Sequence, residues 1–125
     1  MKILTLLLFL VLSTTLMAQP SGNKNKSLRH VVLVQFKSTA TQADIDKVIE
    51  DFGALKAQMK QIKEFEWGLN NSPENLSEGL THAFLLTFRS EKDRDEYLVH
   101  PTHKAFVEGA GKHMGKVVVV DYYTN

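Results

Sequence analysis

Apolar and polar positions alternate along this chain with two different periods. From Arg29 to Lys37, His30, Val32, Val34 and Phe36 point one way, while Val31, Leu33 and Gln35 point the other. Period two predicts a strand, and two mostly apolar faces predict that both are covered. From Thr41 to Ile62 the step changes to three and four. Ile45, Val48, Ile49, Phe52, Leu55, Met59 and Ile62 form one stripe, which predicts an amphipathic helix. Thr41 and Asp44 stand at capping-box spacing, with Asp in place of the usual Glu. Glu64–Leu69 is a second strand, with Phe65, Trp67 and Leu69 on one face, and Asn70-Asn71-Ser72-Pro73 ends it. Residues 74–80 form a polar loop. Thr81–Arg89 is a third strand with His82, Phe84, Leu86 and Phe88 on one face. Ser90 caps a short helix containing Tyr97 and Leu98, Pro101 opens another, and Lys116–Tyr123 is a last strand.

The resulting order, β-α-β-β-α-β with the second helical part split at Pro101, is the split-βαβ, ferredoxin-like pattern of an α+β sandwich. Its antiparallel sheet carries helices on one face only. The other face is apolar at 31–35, 83–85 and 117–120. A bare apolar sheet predicts an interface, and a two-fold homodimer packing sheet on sheet covers it most economically.

Ahead of this pattern, Met1-Lys2 is followed by the apolar run Ile3–Leu12, then by Ser13-Thr14-Thr15 and by Ala18 before Gln19-Pro20. A charged start, an apolar core and a small residue predict a secretory signal over residues 1–18, cleaved after Ala18. The apolar core is shorter than the ~20 residues of a spanning helix, so no stable membrane anchor is expected after removal. Polar residues 19–27, with Pro20 and Gly22, read as a flexible linker, which leaves 28–125 as the folded domain. The expected destination is the periplasm or the exterior. Lys2 is the only charged residue of the first eighteen, so without them basic and acidic residues balance. That balance excludes a nucleic-acid footprint. No cysteine is present, which excludes disulfides and lipid attachment at a cysteine.

The polar residues that stand out are histidines and one tyrosine. His30 and His82 each share a strand face with Val and Phe, on strands that are adjacent and central in this fold. Two imidazoles facing one cavity beneath the helices is one reading, and two histidines satisfied in the core or at its rim is the other. His103 lies in the first turn of the Pro101 helix, where the helix dipole favours neutral imidazole, the form that acts as base or ligand. Tyr97, six residues earlier, can turn toward the same sheet. Alternatively, His100 and His103 fix the corner between helices while Tyr97 packs there. No metal site is expected, since there is no Cys and no His-x-x-x-His on a helix. No phosphate-cradling glycine loop occurs, and no cofactor is expected: Gly109-Ala110-Gly111 follows no strand.

Five segments together resemble the stress-responsive A/B barrel (Dabb) family. They are Arg29–Lys37, Glu66-Trp67-Gly68, Thr81–Phe84, Asp95–His103 with its Tyr-x-x-His-Pro-x-His run at 97–103, and Val117–Tyr123. The resemblance runs from Leu28 to Tyr123. It implies a ferredoxin-like protomer and a dimeric α/β barrel, without implying one activity. One plant member is an enzyme that closes a linear polyketide thioester by aldol condensation. By similarity to it, His30, His82, Tyr97 and His103 would line a ligand pocket between helices and sheet. His103 would be the general base, and the Tyr97 hydroxyl would hold a substrate carbonyl. The expectation is therefore an exported homodimer binding a small, partly apolar molecule. The alternatives are an enzyme of the polyketide cyclase/aldol type, or a stress-protective stable oligomer without catalysis.

Overall fold

The computed structural model describes residues 26–125. The expected signal and all of the expected linker except Lys26 and Ser27 lie outside the described residues. Ser27 is tied to the far end of the domain: its N–H donates to Thr124 Oγ1 and its carbonyl accepts from the Thr124 N–H, both at 3.0 Å.

The elements are β1 (Leu28–Phe36), α1 (Gln42–Gln58), β2 (Glu64–Leu69), β3 (His82–Phe88), α2 (Glu91–Val99), α3 (Pro101–Gly111) and β4 (Met114–Tyr123). The strands form one antiparallel sheet in the order β2-β3-β1-β4, the ferredoxin-like arrangement. Among the described residues no helix is long and apolar enough to cross a membrane.

α1 begins at a reciprocal capping box, with Thr41 Oγ1 accepting from the Asp44 N–H and the Asp44 carboxylate accepting from the Thr41 N–H. It ends at Gln58, four residues before the apolar stripe does. Met59 adopts an extended conformation and a turn bond from the Ile62 N–H to the Met59 carbonyl reverses the chain. Met59 and Ile62 are still buried. The stripe continues because the turn, not a further helical turn, points both side chains at the sheet.

Phe52 and Leu55 of α1 share one core cluster with Leu28, Val32 and Val34 of β1 and with Phe84, Leu86 and Phe88 of β3, and Val48 of α1 is buried as well. Phe52 is the hub of this layer, with its ring 4.8 Å from Phe84, 5.3 Å from Phe65 and 4.6 Å from Phe106. The helix-free face carries Val31, Leu33, Ala83, Leu85, Val118, Val120 and Tyr122. By strand alternation Val117 and Val119 belong to the helix side instead. β4 starts two residues earlier than expected and is bulged: Met114 pairs with Phe36 and Lys116 with Gln35, leaving Gly115 over. A Cβ at Gly115 would lie 3.2 Å from the Gln35 carbonyl oxygen, which explains a glycine there.

Candidate functional site

α1, α2 and α3 do not cover the whole sheet. Between α3 and the β1–β4 half lies a cavity of about 500 Å³, the size of a small-ligand site. Its walls are mainly apolar, with Val32, Phe52, Phe106, Val107, Val117 and Val119 among them. His30, Tyr97, His103 and Asp121 supply its polar end.

His30 reaches the cavity from β1. Its antiparallel partner on β4 is Asp121, and directly opposed residues point to the same face. His30 Nδ1 and Asp121 Oδ1 are 2.7 Å apart. Asp121 Oδ2 accepts from Arg94 Nη1 of α2 at 2.8 Å, and Arg94 Nε donates to Asp95 at 2.9 Å. The carboxylate is thus engaged on both oxygens, by groups from two other elements. Its hydrogen bond holds the Arg94 guanidinium even more firmly in its charged form. The His30 ring meets the edges of Phe88 and Tyr97, with centroids at 6.0 and 5.8 Å.

Tyr97 and His103 are brought together by the break at Pro101. The residue before proline is driven to extended backbone, and His100 has φ −65° and ψ 135°. His100 then caps α3, its Nδ1 accepting from the Thr102 N–H at 3.1 Å. α3 folds back, so that the His103 ring lies 4.1 Å from that of Tyr97. His103 Nδ1–H donates to the Leu98 carbonyl at 3.2 Å, which fixes the tautomer and leaves Nε2 as the acceptor. Burial lowers the His103 pKa below the usual histidine value; the Leu98 carbonyl opposes this and the nearby His30 adds to it. Neutral imidazole is therefore the form present at pH 7. Burial, with a smaller contribution from Asp121, pushes the Tyr97 hydroxyl up, so it stays a proton donor.

Among the described residues no buried side-chain nitrogen or oxygen lacks a hydrogen-bond partner. Among the described residues, His30 Nε2, the Tyr97 hydroxyl and His103 Nε2 have no hydrogen-bond partner, so each opens onto the cavity space.

His82 does not join them. The expectation of two strand imidazoles in one cavity is corrected by register: His30 lies opposite Leu86, and His82 lies opposite Val34. The two are four residues apart along β1, roughly 13 Å at the usual rise. His82 instead packs against Phe36 and Trp67, with ring centroids at 4.9 and 6.3 Å, and its Nδ1 meets Thr81 Oγ1 at 2.8 Å. Burial lowers its pKa as well. It lines a separate, smaller cavity with Leu33, Leu80 and Ala83. Among the described residues no group of three or more His, Asp or Glu is placed to hold a metal ion. Asp121 and Arg94 are the site residues that pattern reading missed. Asp121 did carry a signal, as a charge ending the apolar run Val117–Val120 with the strand parity of Val117 and Val119.

A split-βαβ sheet with a side cavity built from Tyr-x-x-His-Pro-x-His defines a class, and sequence comparison assigns it. The stress responsive A/B barrel domain profile matches residues 28–124, and the chain belongs to that Dabb family. A stress-response A/B barrel domain-containing protein of Arabidopsis thaliana, HS1, is 36% identical over 95 residues, 76% of this chain and 87% of the relative. Olivetolic acid cyclase of Cannabis sativa is 26% identical, covering 77% of this chain and 95% of the cyclase. Among solved structures, a hydroxynitrile lyase from Passiflora edulis superposes with a TM-score of 0.75 at 33% identity, covering 79% of this chain and 94% of the lyase. A dimeric protein of ferredoxin-like fold from Bacteroides fragilis superposes with a TM-score of 0.62 at 25% identity, covering 78% and 96%.

Proposed function

We propose that this chain is an exported, homodimeric Dabb protein whose cavity binds a small, uncharged, mostly apolar molecule carrying a carbonyl or hydroxyl at one end. The observation that carries this is the cavity's division into an apolar body and one polar end, where Tyr97 and His103 present a donor and an acceptor side by side. Asp121, the charged side chain that lines that end, is already engaged by His30 on one oxygen and by Arg94 on the other, so it offers no unpaired charge to repay the desolvation of an ionic ligand. An open cavity of this size argues against the alternative of a protective oligomer valued only for stability.

Acid–base chemistry at the polar end is favoured by a further observation. His103 is held neutral with Nε2 free, beside a phenol that keeps its proton. Such a pair takes a proton from the carbon next to a carbonyl while the phenol donates to the developing oxyanion. Two relatives bear the names of a cyclase and a hydroxynitrile lyase, which supports catalysis without choosing the reaction.

Dimerisation is supported by the helix-free face, where Val31, Leu33, Ala83 and Leu85 stand together, and by dimeric structural neighbours. Export is supported by the charged start, apolar run and Ala18.

The test uses 1-phenylpropan-2-one as a probe, an apolar ketone with exchangeable hydrogens beside its carbonyl. In D2O the protein should accelerate hydrogen–deuterium exchange at those positions, followed by proton NMR, and His103→Ala should lose the acceleration. Exchange that is equally fast with His103→Ala would defeat the base assignment. An absence of any probe-induced shift at cavity residues at millimolar concentration would defeat the pocket.

A further inference from the structure

His30 sits at the polar end of the cavity, and its orientation is set by a chain of polar contacts that leads from there to α2. Asp121 stands opposite it on β4 and touches it at 2.7 Å; Arg94 of α2 touches the other carboxylate oxygen at 2.8 Å. Ionised Asp121 is an acceptor on both oxygens, so the shared hydrogen must sit on His30 Nδ1. Nε2 is then the nitrogen turned to the cavity, and among the described residues it has no hydrogen-bond partner. His103 has the same arrangement by a different device, with Nδ1–H on the Leu98 carbonyl and Nε2 free. The Tyr97 ring neighbours both imidazoles, its centroid 5.8 Å from that of His30 and 4.1 Å from that of His103.

We propose that Asp121 is a positioning residue that locks the His30 tautomer, that Arg94 dictates which way Asp121 can act, and that the cavity thereby holds two aligned imidazole nitrogens rather than one. The consequence for ligand binding rests on the pocket reading above; the tautomer lock itself does not.

Arg94 gives this a sharp consequence. A guanidinium has only donors, so it can bond only to an oxygen. In Asp121→Asn the amide oxygen must turn to Arg94, which leaves the amide NH2 facing His30 Nδ1. That nitrogen must then accept, and the proton moves to Nε2. Loss of a carboxylate partner is known to impose the wrong histidine tautomer in a catalytic triad. Removing Arg94 as well frees the amide to rotate, and its oxygen can again take the proton of Nδ1.

The experiment is a two-bond proton–nitrogen NMR spectrum of the histidine rings at pH 8, which distinguishes the two tautomers. Wild type and Arg94→Met should show the Nδ1–H form for His30. Asp121→Asn should show the Nε2–H form, and the double variant should return to Nδ1–H. His30 remaining Nδ1–H in Asp121→Asn, or the double variant failing to restore that form, would overturn the proposal. The double variant also guards against a fold effect, since general damage would not be repaired by a second lesion. Titration with 1-phenylpropan-2-one completes the set. A flipped tautomer with at least a threefold loss of probe affinity supports both readings. A flipped tautomer with unchanged affinity upholds the lock and counts against His30 as a ligand contact.

Discussion

Replacing Tyr97 with Phe separates a ligand-site role from a packing role, because the structure predicts opposite sizes for the two effects. The ring is 1% exposed and packs against Phe88 at 5.1 Å and His103 at 4.1 Å. Phe preserves all of that packing. Among the described residues the hydroxyl has no hydrogen-bond partner, so its removal leaves no orphaned group, the usual source of a large penalty. Folding stability should therefore change by no more than about 0.5 kcal/mol. For a domain of this size that is a shift of the melting temperature within about 2–4 °C. A ligand carbonyl that accepts from the hydroxyl would instead lose a hydrogen bond of about 0.5–1.5 kcal/mol, roughly a two- to twelvefold weakening. Differential scanning calorimetry and NMR titration with 1-phenylpropan-2-one, on wild type and Tyr97→Phe, measure the two quantities separately. A variant that melts more than about 8 °C lower while binding the probe normally would refute the reasoning, since about 1 kcal/mol or more would then reside in a contact assigned to the ligand.

Leu85→Glu places a charge on the helix-free face without touching the helix-side core, and should convert the protein to a monomer by light scattering; a dimer that survives would show that another surface mediates association. Thr41→Ala removes the side-chain half of the α1 capping box and should cost about 0.5–2 kcal/mol in urea unfolding, with the cavity unaffected; a neutral result would mean that the box is not formed in solution. Burial lowers the pKa of both His82 and His103, so their neutral forms favour the folded state. Their contribution is complete above the unfolded value near 6.5 and is lost as pH falls through the lowered folded values. The urea midpoint should accordingly drop between pH 7.5 and pH 5, and His82→Gln with His103→Gln should flatten that drop; an unchanged slope in the double variant would contradict the assignment.

Much of this architecture is legible from periodicity. The parity of His30, Val32 and Val34 gives the buried face of β1, the three-and-four step of Val48, Phe52 and Leu55 gives α1, and Pro101 gives the break between α2 and α3. These features are local: each depends on a side chain's direction relative to its own backbone, which chain geometry sets within a few residues. Which residues meet is a different matter. Parity puts His30 and His82 on one side of the sheet but says nothing of their separation along it, and the β1–β3 register sets them at different depths. Register also brings Asp121, 91 residues away, opposite His30, and the return of α2 over the sheet brings Arg94 to Asp121. The cavity depends on a still larger arrangement, since it exists where α3 leaves β4 uncovered. Pairing of strands distant in sequence is settled by the burial of a shared core and by turn geometry. A constellation assembled across three elements is therefore decided only when the whole sheet closes on its helices.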